Sequence, residues 1–268
     1  MIDIREKDQA SGLRRLFRRT PPTVIALFAA GRHHTLTAVQ AAYRIASDSG
    51  RVLILDEGTQ ATSLHPLLDL PEGPDLLGIL NTGISAGTLL QPIPGMAGRI
   101  PVSAAALALP LLDESRRNKL IQTLELLQQD VSTTLIHAPC QNAADPSPFV
   151  SAAPQRLLVA EVSRSGATSA YQTIKQLAAA GAGNFHIAVA RARDPQEARH
   201  FFTSLRDLVR LHIGTPLIWL GEIERNDIAA GLHSSRMQHH NSTMDAAAFL
   251  RRLALIREPR HGTSASAR

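Results

Sequence analysis

The stretch TVIALFAAGRHHT, Thr23 to Thr35, places residues that can do chemistry at the end of an apolar run. A β-type run that breaks at a glycine and then enters a helix is the frame in which proteins hold phosphate. Glycine lets backbone N–H groups wrap the anion, a lysine meets the β and γ charges, and a Ser or Thr hydroxyl meets magnesium. Gly31 and Thr35 suit two of those tasks, but His34 stands where the lysine belongs. Histidine is shorter than lysine and ordinarily mostly neutral at pH 7. Arg32 adds charge, and its bulk crowds a turn that needs backbone access. The loop reads as a good βα turn and a poor nucleotide site.

Two more strand ends carry reactive types. RVLILDEG ends in Asp56, Glu57 and Gly58, and an acid there can bind magnesium or orient water. LIHAPCQ ends its apolar run at His137, a poor ligand for magnesium, which prefers oxygen. His33, His34, His137 and Cys140 are soft-metal donors, but their spacing matches no usual zinc pattern, so no metal is expected.

The elements that must position these residues alternate along the chain. Apolar runs at 24–28, 52–56, 99–103, 133–138, 156–162, 185–190 and 216–221 read as buried strands. Stretches with helical spacing lie between them, at Leu36–Ser49, Glu114–Gln129, Ser169–Ala180 and Pro195–Leu211. A short helix is expected at Asp75–Asn81 within an irregular Gly/Pro-rich segment. Such alternation predicts an α/β fold, a doubly wound and mostly parallel sheet flanked by helices, whose ligands sit at the carboxyl ends of the strands.

Composition narrows the function classes. The chain has 268 residues, enough for one large α/β domain, and its aromatic content of 4% leaves the core to Leu, Ile, Val and Ala. Its single cysteine excludes an internal disulfide and suits a cytoplasmic protein. No apolar run approaches the roughly 18 residues of a membrane span. The net charge of +5 is concentrated in RRLFRR and RRLALIREPRHG near the two ends. Basic ends fit solvated helix termini as well as contacts to nucleic acid, anionic lipid or an acidic partner.

Both ends also carry amphipathic patterns. Lys7 to Phe17, KDQASGLRRLF, sets Ala10, Leu13, Leu16 and Phe17 on one stripe, suited to packing or to a partner's groove. Near the other end, Phe249, Leu250, Leu253 and Ile256 recur at helical spacing. They suit a final core-packing helix, the favoured reading, or a face for lipid or a partner.

DQASGLR, Asp8 to Arg14, resembles the DQAxxLR activator motif of the FlhG/FleN proteins. These are members of the MinD/ParA P-loop ATPase family that set flagellar number and placement. TVIAL with GRVLILDEG, SGATSAYQTIKQL and ARARDPQEARHFFTSL are similar to further stretches of that family, so the likeness spans about Asp8 to Arg257. The resemblance implies an N-terminal activator helix over 1–20, a MinD/ParA-like domain over 21–257 and a disordered tail over 258–268. It assigns Gln9 to orienting the attacking water in an FlhF-type GTPase. Leu13 and Ala10 would give apolar anchorage, and Asp8 and Arg14 would fix register.

This sequence also departs from the family pattern. The KGGxGKT loop aligns on Arg32, His33, His34 and Thr35, so the ATP-binding lysine is His34 and the intersubunit lysine falls near Ala29. The second, hydrolytic acid of the DxD pair is Gly58, the switch aspartate is His137, and the adenine-contacting asparagine is Ala190. These departures imply a pseudo-ATPase, not an enzyme, with no cofactor unless the atypical loop still takes ATP and magnesium. The expected partners are an FlhF-type GTPase and, beyond it, flagellar switch-complex or transcription-regulator proteins. No direct nucleic-acid contact and no ATP-driven dimer are expected, and the expected location is cytoplasmic, at the flagellated pole. The alternatives are a MinD-like ATPase with an atypical loop, and a scaffold or anti-activator.

Overall fold

The computed structural model describes residues 22–81, 83–238 and 246–256. The expected activator helix and the expected disordered tail lie outside the described residues. Seven strands alternate with helices. They run β1 Thr23–Ala30, α1 His34–Ser49, β2 Val52–Asp56, α2 Ala86–Leu89, β3 Gly98–Pro101, α3 Ser103–Ala108, α4 Glu114–Leu127 and β4 Thr133–His137. There follow α5 Pro148–Ala152, β5 Gln155–Glu161, α6 Arg164–Ala179, β6 Phe185–Ala190, α7 Pro195–His212, β7 Leu217–Glu222, α8 Ile228–Gln238 and α9 Ala246–Leu255.

The strands form one sheet in the order β3-β2-β4-β1-β5-β6-β7, and every pairing between them is parallel. Parallel strands are covered on both faces, which is why they read as continuous apolar runs. The period of two then sorts each strand between two cores. Val24, Ala26 and Phe28 of β1 face α4, α6, α7 and α9, whereas Ile25, Leu27 and Ala29 face α1 and α8. The chain leaves β1 for β2 on one side and returns through β5 on the other. The carboxyl end of β1 is therefore the point where the winding reverses, where open α/β sheets place ligands.

Helix starts follow local chemistry. Asp113 caps α4 through the Arg116 amide, Ser163 caps α6 through Gly166, and Asp194 caps α7 with a proline at its first turn. Three sequence expectations shift for stated reasons. Helix α6 begins at Arg164 rather than Ser169, because a glycine in its first turn breaks the periodic signal while Ser163 still caps it. The strand expected over 99–103 ends at Pro101, since Val102 already turns to start α3. The short helix expected at Asp75–Asn81 is a 3-10 turn, Leu76–Leu80, capped by Asp75.

Helix α9 carries the C-terminal apolar face. Phe249 and Leu253 are fully buried, Leu250 is nearly so, and Ile256 packs against the same core. Arg252 ties the helix down by donating to the Ala152 carbonyl at 2.7 Å. In this structure that face packs on the core, as the favoured reading of these four residues has it. Among the described residues, no helix is long and apolar enough to cross a membrane.

Candidate functional site

The loop after β1 is closed from inside the molecule. Register pairs Ala30 of β1 with Ala160 of β5, so the next residues, Gly31 and Glu161, come abreast. Glu161 is 4% exposed, and its Oε1 accepts the His33 amide at 2.7 Å and the Thr37 hydroxyl at 3.2 Å. Its Oε2 lies 3.5 Å from His33 Nδ1. His33 occupies the N-cap position of α1 but makes no side-chain capping bond of its own. A carboxylate from another strand therefore meets the orphan amide and the positive end of the helix dipole, as a bound phosphate would.

Gly31 is required by this contact. Its φ of +138° is one that side chains rarely adopt, and a Cβ there would stand 2.5 Å from the Glu161 carboxyl carbon. The side chains of His34 and Thr35 make no hydrogen bond or ion pair among the described residues. Neither Glu161 nor Thr37 stood out in the sequence. The available signal was an acid closing the apolar run of β5, as Asp56 closes that of β2.

The second cluster is built on Asp56 and His137, which the β2–β4 register pairs directly. Asp56 is fully buried. Its Oδ1 accepts His137 Nδ1 at 2.8 Å and the Gly58 amide at 2.9 Å. Its Oδ2 accepts Arg99 Nε at 2.7 Å, the Leu64 amide at 2.9 Å and Ser63 Oγ at 3.0 Å. Burial alone would raise this carboxyl. The hydrogen bond and charge of His137, with the Arg99 charge and the Leu64 amide, instead hold it well below the usual carboxylate range.

Arg99 is 2% exposed and also donates to Gln91 Oε1 at 2.6 Å and to Ser63 Oγ at 2.8 Å. Sequence reading placed Asp56 and His137 at one edge but missed Arg99, which looks like an ordinary strand residue. Gly58 belongs to the same cluster. A Cβ there would lie 2.3 Å from the Thr62 carbonyl oxygen, so an acid at this position cannot fit without moving the turn.

Glu57 lies beside this network, 5% exposed, and accepts a short hydrogen bond from Ser147 Oγ. Burial pushes its carboxyl up to about 7, opposed by the Ser147 bond and assisted by the neighbouring Asp56 charge. Cys140 donates its thiol to the Ala29 carbonyl at 3.1 Å, and burial raises its pKa. Ala190 is fully buried, inside the core on the α1 side of the sheet. Among the described residues, no group of three or more His, Cys, Asp or Glu is arranged to hold a metal ion.

Beside the β1 loop opens a cleft of about 720 Å³, whose lining includes Arg32, Glu161, Arg164 and Arg191. All three arginines are exposed, and none forms an ion pair among the described residues. Glu161 takes the His33 amide and the Thr37 hydroxyl, both Asp56 oxygens are engaged, and no lysine lines the cleft.

No protein-family model matches the sequence, and no curated protein is similar to it. Solved structures do share its fold. The MinC:MinD cell division protein complex of Aquifex aeolicus is similar with a TM-score of 0.52 at 17% identity, covering 86% of this chain and 95% of that one. A ParA family ATPase from Chlorobium tepidum is similar with a TM-score of 0.50 at 15% identity, covering 86% and 98%. At these identities the likeness establishes the fold, which is MinD/ParA-like. It also corrects the expectation that the departures at the loop make this chain a non-enzyme. The fold around those departures is shared with a solved ParA family ATPase over almost the full length of that chain.

Proposed function

We propose that this chain is an FlhG-type regulator on a MinD/ParA-like fold, which stimulates an FlhF-type GTPase through its N-terminal segment. The observation that carries this reading is DQASGLR, Asp8 to Arg14, standing directly ahead of a domain with that fold. Gln9 would orient the attacking water in a GTPase site that is slow alone. Leu13 and Ala10 would supply the apolar anchorage, while Asp8 and Arg14 hold the register. The reading places the protein at the flagellated cell pole, with switch-complex or transcription-regulator proteins as further partners. The test is GTP hydrolysis by the cognate GTPase with and without the full-length protein at saturating concentration. Stimulation supports the reading, and an unaltered rate rejects it.

The shared fold favours a second reading, a MinD-like ATPase with an atypical loop. Gly31 and Thr35 keep two of the loop's elements, and ATP with magnesium would enter as its substrate. In the observed arrangement the His33 amide and the Thr37 hydroxyl are held by Glu161, so this reading needs that carboxylate to move. Steady-state ATP turnover by the purified full-length protein distinguishes it from the first.

A further inference from the structure

We infer that Glu161 is a built-in competitor for anions at the β1 loop, and that a polyphosphate gains the loop only when this carboxylate leaves it. The contact has the form of an anion site already filled. A charged oxygen accepts the first free amide of α1 and the Thr37 hydroxyl, in a turn kept open by Gly31. The occupant is tethered at the end of β5, so it competes at a high effective concentration without any ligand being added. It is also poised beside space. The adjoining cleft is open and holds Arg32, Arg164 and Arg191, whose guanidinium groups form no ion pair among the described residues, although the Arg191 backbone amide donates to Glu224 Oε1 at 2.9 Å. A carboxylate displaced from the loop would have cationic partners within the same cleft, and those arginines would draw in the incoming anion. This inference concerns the loop alone and does not depend on the N-terminal segment, so it can fail while the GTPase reading stands, and the reverse.

The experiment uses sodium tripolyphosphate, which has phosphates but no base or sugar, titrated calorimetrically into the full-length protein at low ionic strength. Removing the occupant with Glu161→Ala should tighten binding at least about tenfold, the scale of one charge-assisted hydrogen bond. Glu161→Gln keeps the size and loses the charge, so it should fall between Glu161→Ala and the parent. It also serves if the alanine variant does not fold, read then as a larger rise in Tm on adding tripolyphosphate than the parent shows. Adding Thr37→Val to Glu161→Ala should take back part of the gain, because the hydroxyl is one of the released donors. Equal affinity in parent and both variants would overturn the inference. So would a gain that Thr37→Val leaves untouched, since the anion would then be bound in the arginine cleft without using the loop.

Discussion

The His33 amide donates to Glu161 Oε1 at 2.7 Å across 128 residues of sequence, which joins the start of α1 to the end of β5. One strand register explains it, because pairing Ala30 with Ala160 leaves the next residue of each strand nowhere else to go. The same logic pairs Asp56 with His137 on the other side of β4. Both positions stand where bound phosphate and metal would be sought in this fold, and both are occupied by the protein's own charges.

The Asp56 cluster should be a principal support of the sheet's left half. Arg99→Ala leaves a buried carboxylate short of a partner and should cost about 3–5 kcal/mol. Arg99→Lys should recover only part of that, since a single ammonium cannot also reach Gln91 and Ser63. Because the Asp56 pKa is depressed in the folded state, its contribution is present above the unfolded value of 3.8. It is lost as pH falls through the folded value. Urea unfolding of parent and variants, at neutral and acid pH, measures both effects.

Glu57 predicts the opposite slope. Its folded pKa is raised from 4.5 to about 7, so the folded state holds a proton that the unfolded state has released. Stability should therefore decline as pH rises from 4.5 to 7, by about 3 kcal/mol at most, and level off above that. Glu57→Gln should flatten this slope while leaving the acid limb of Asp56 in place. Chemical denaturation across pH 5 to 8 is the measurement.

The layers of the sheet were legible because their signal is local. Buried parallel strands are continuous apolar runs, and every one of the seven expected runs overlaps a strand. Boundaries were less so where a glycine interrupts a first turn, as in α6, or where a proline ends a strand, as at Pro101. The site was legible only in part. Asp56, His137 and Gly31 announce themselves as polar or glycine residues at strand ends. Arg99, Thr37 and Glu161 do not, because their roles arise from register between distant strands, which no local pattern encodes.

Helix α9 gives a prediction that separates core from surface. Phe249→Ala should cost about 3–5 kcal/mol and Leu253→Ala about 2–5 kcal/mol, as expected for fully buried side chains. A lipid-facing pair would instead leave stability in solution nearly unchanged. Thermal or urea unfolding of the two variants decides the matter.

The most direct test of the proposed function compares Gln9→Ala and Leu13→Ala in the full-length protein, with GTP hydrolysis and binding to the FlhF-type GTPase both measured. An amide that orients water acts chiefly in the transition state, so Gln9→Ala should keep binding nearly intact and abolish the stimulation. Leu13→Ala should weaken binding itself, with stimulation recovered at higher protein concentration. Loss of neither function in Gln9→Ala, or no stimulation by the unaltered protein at saturation, would contradict the account.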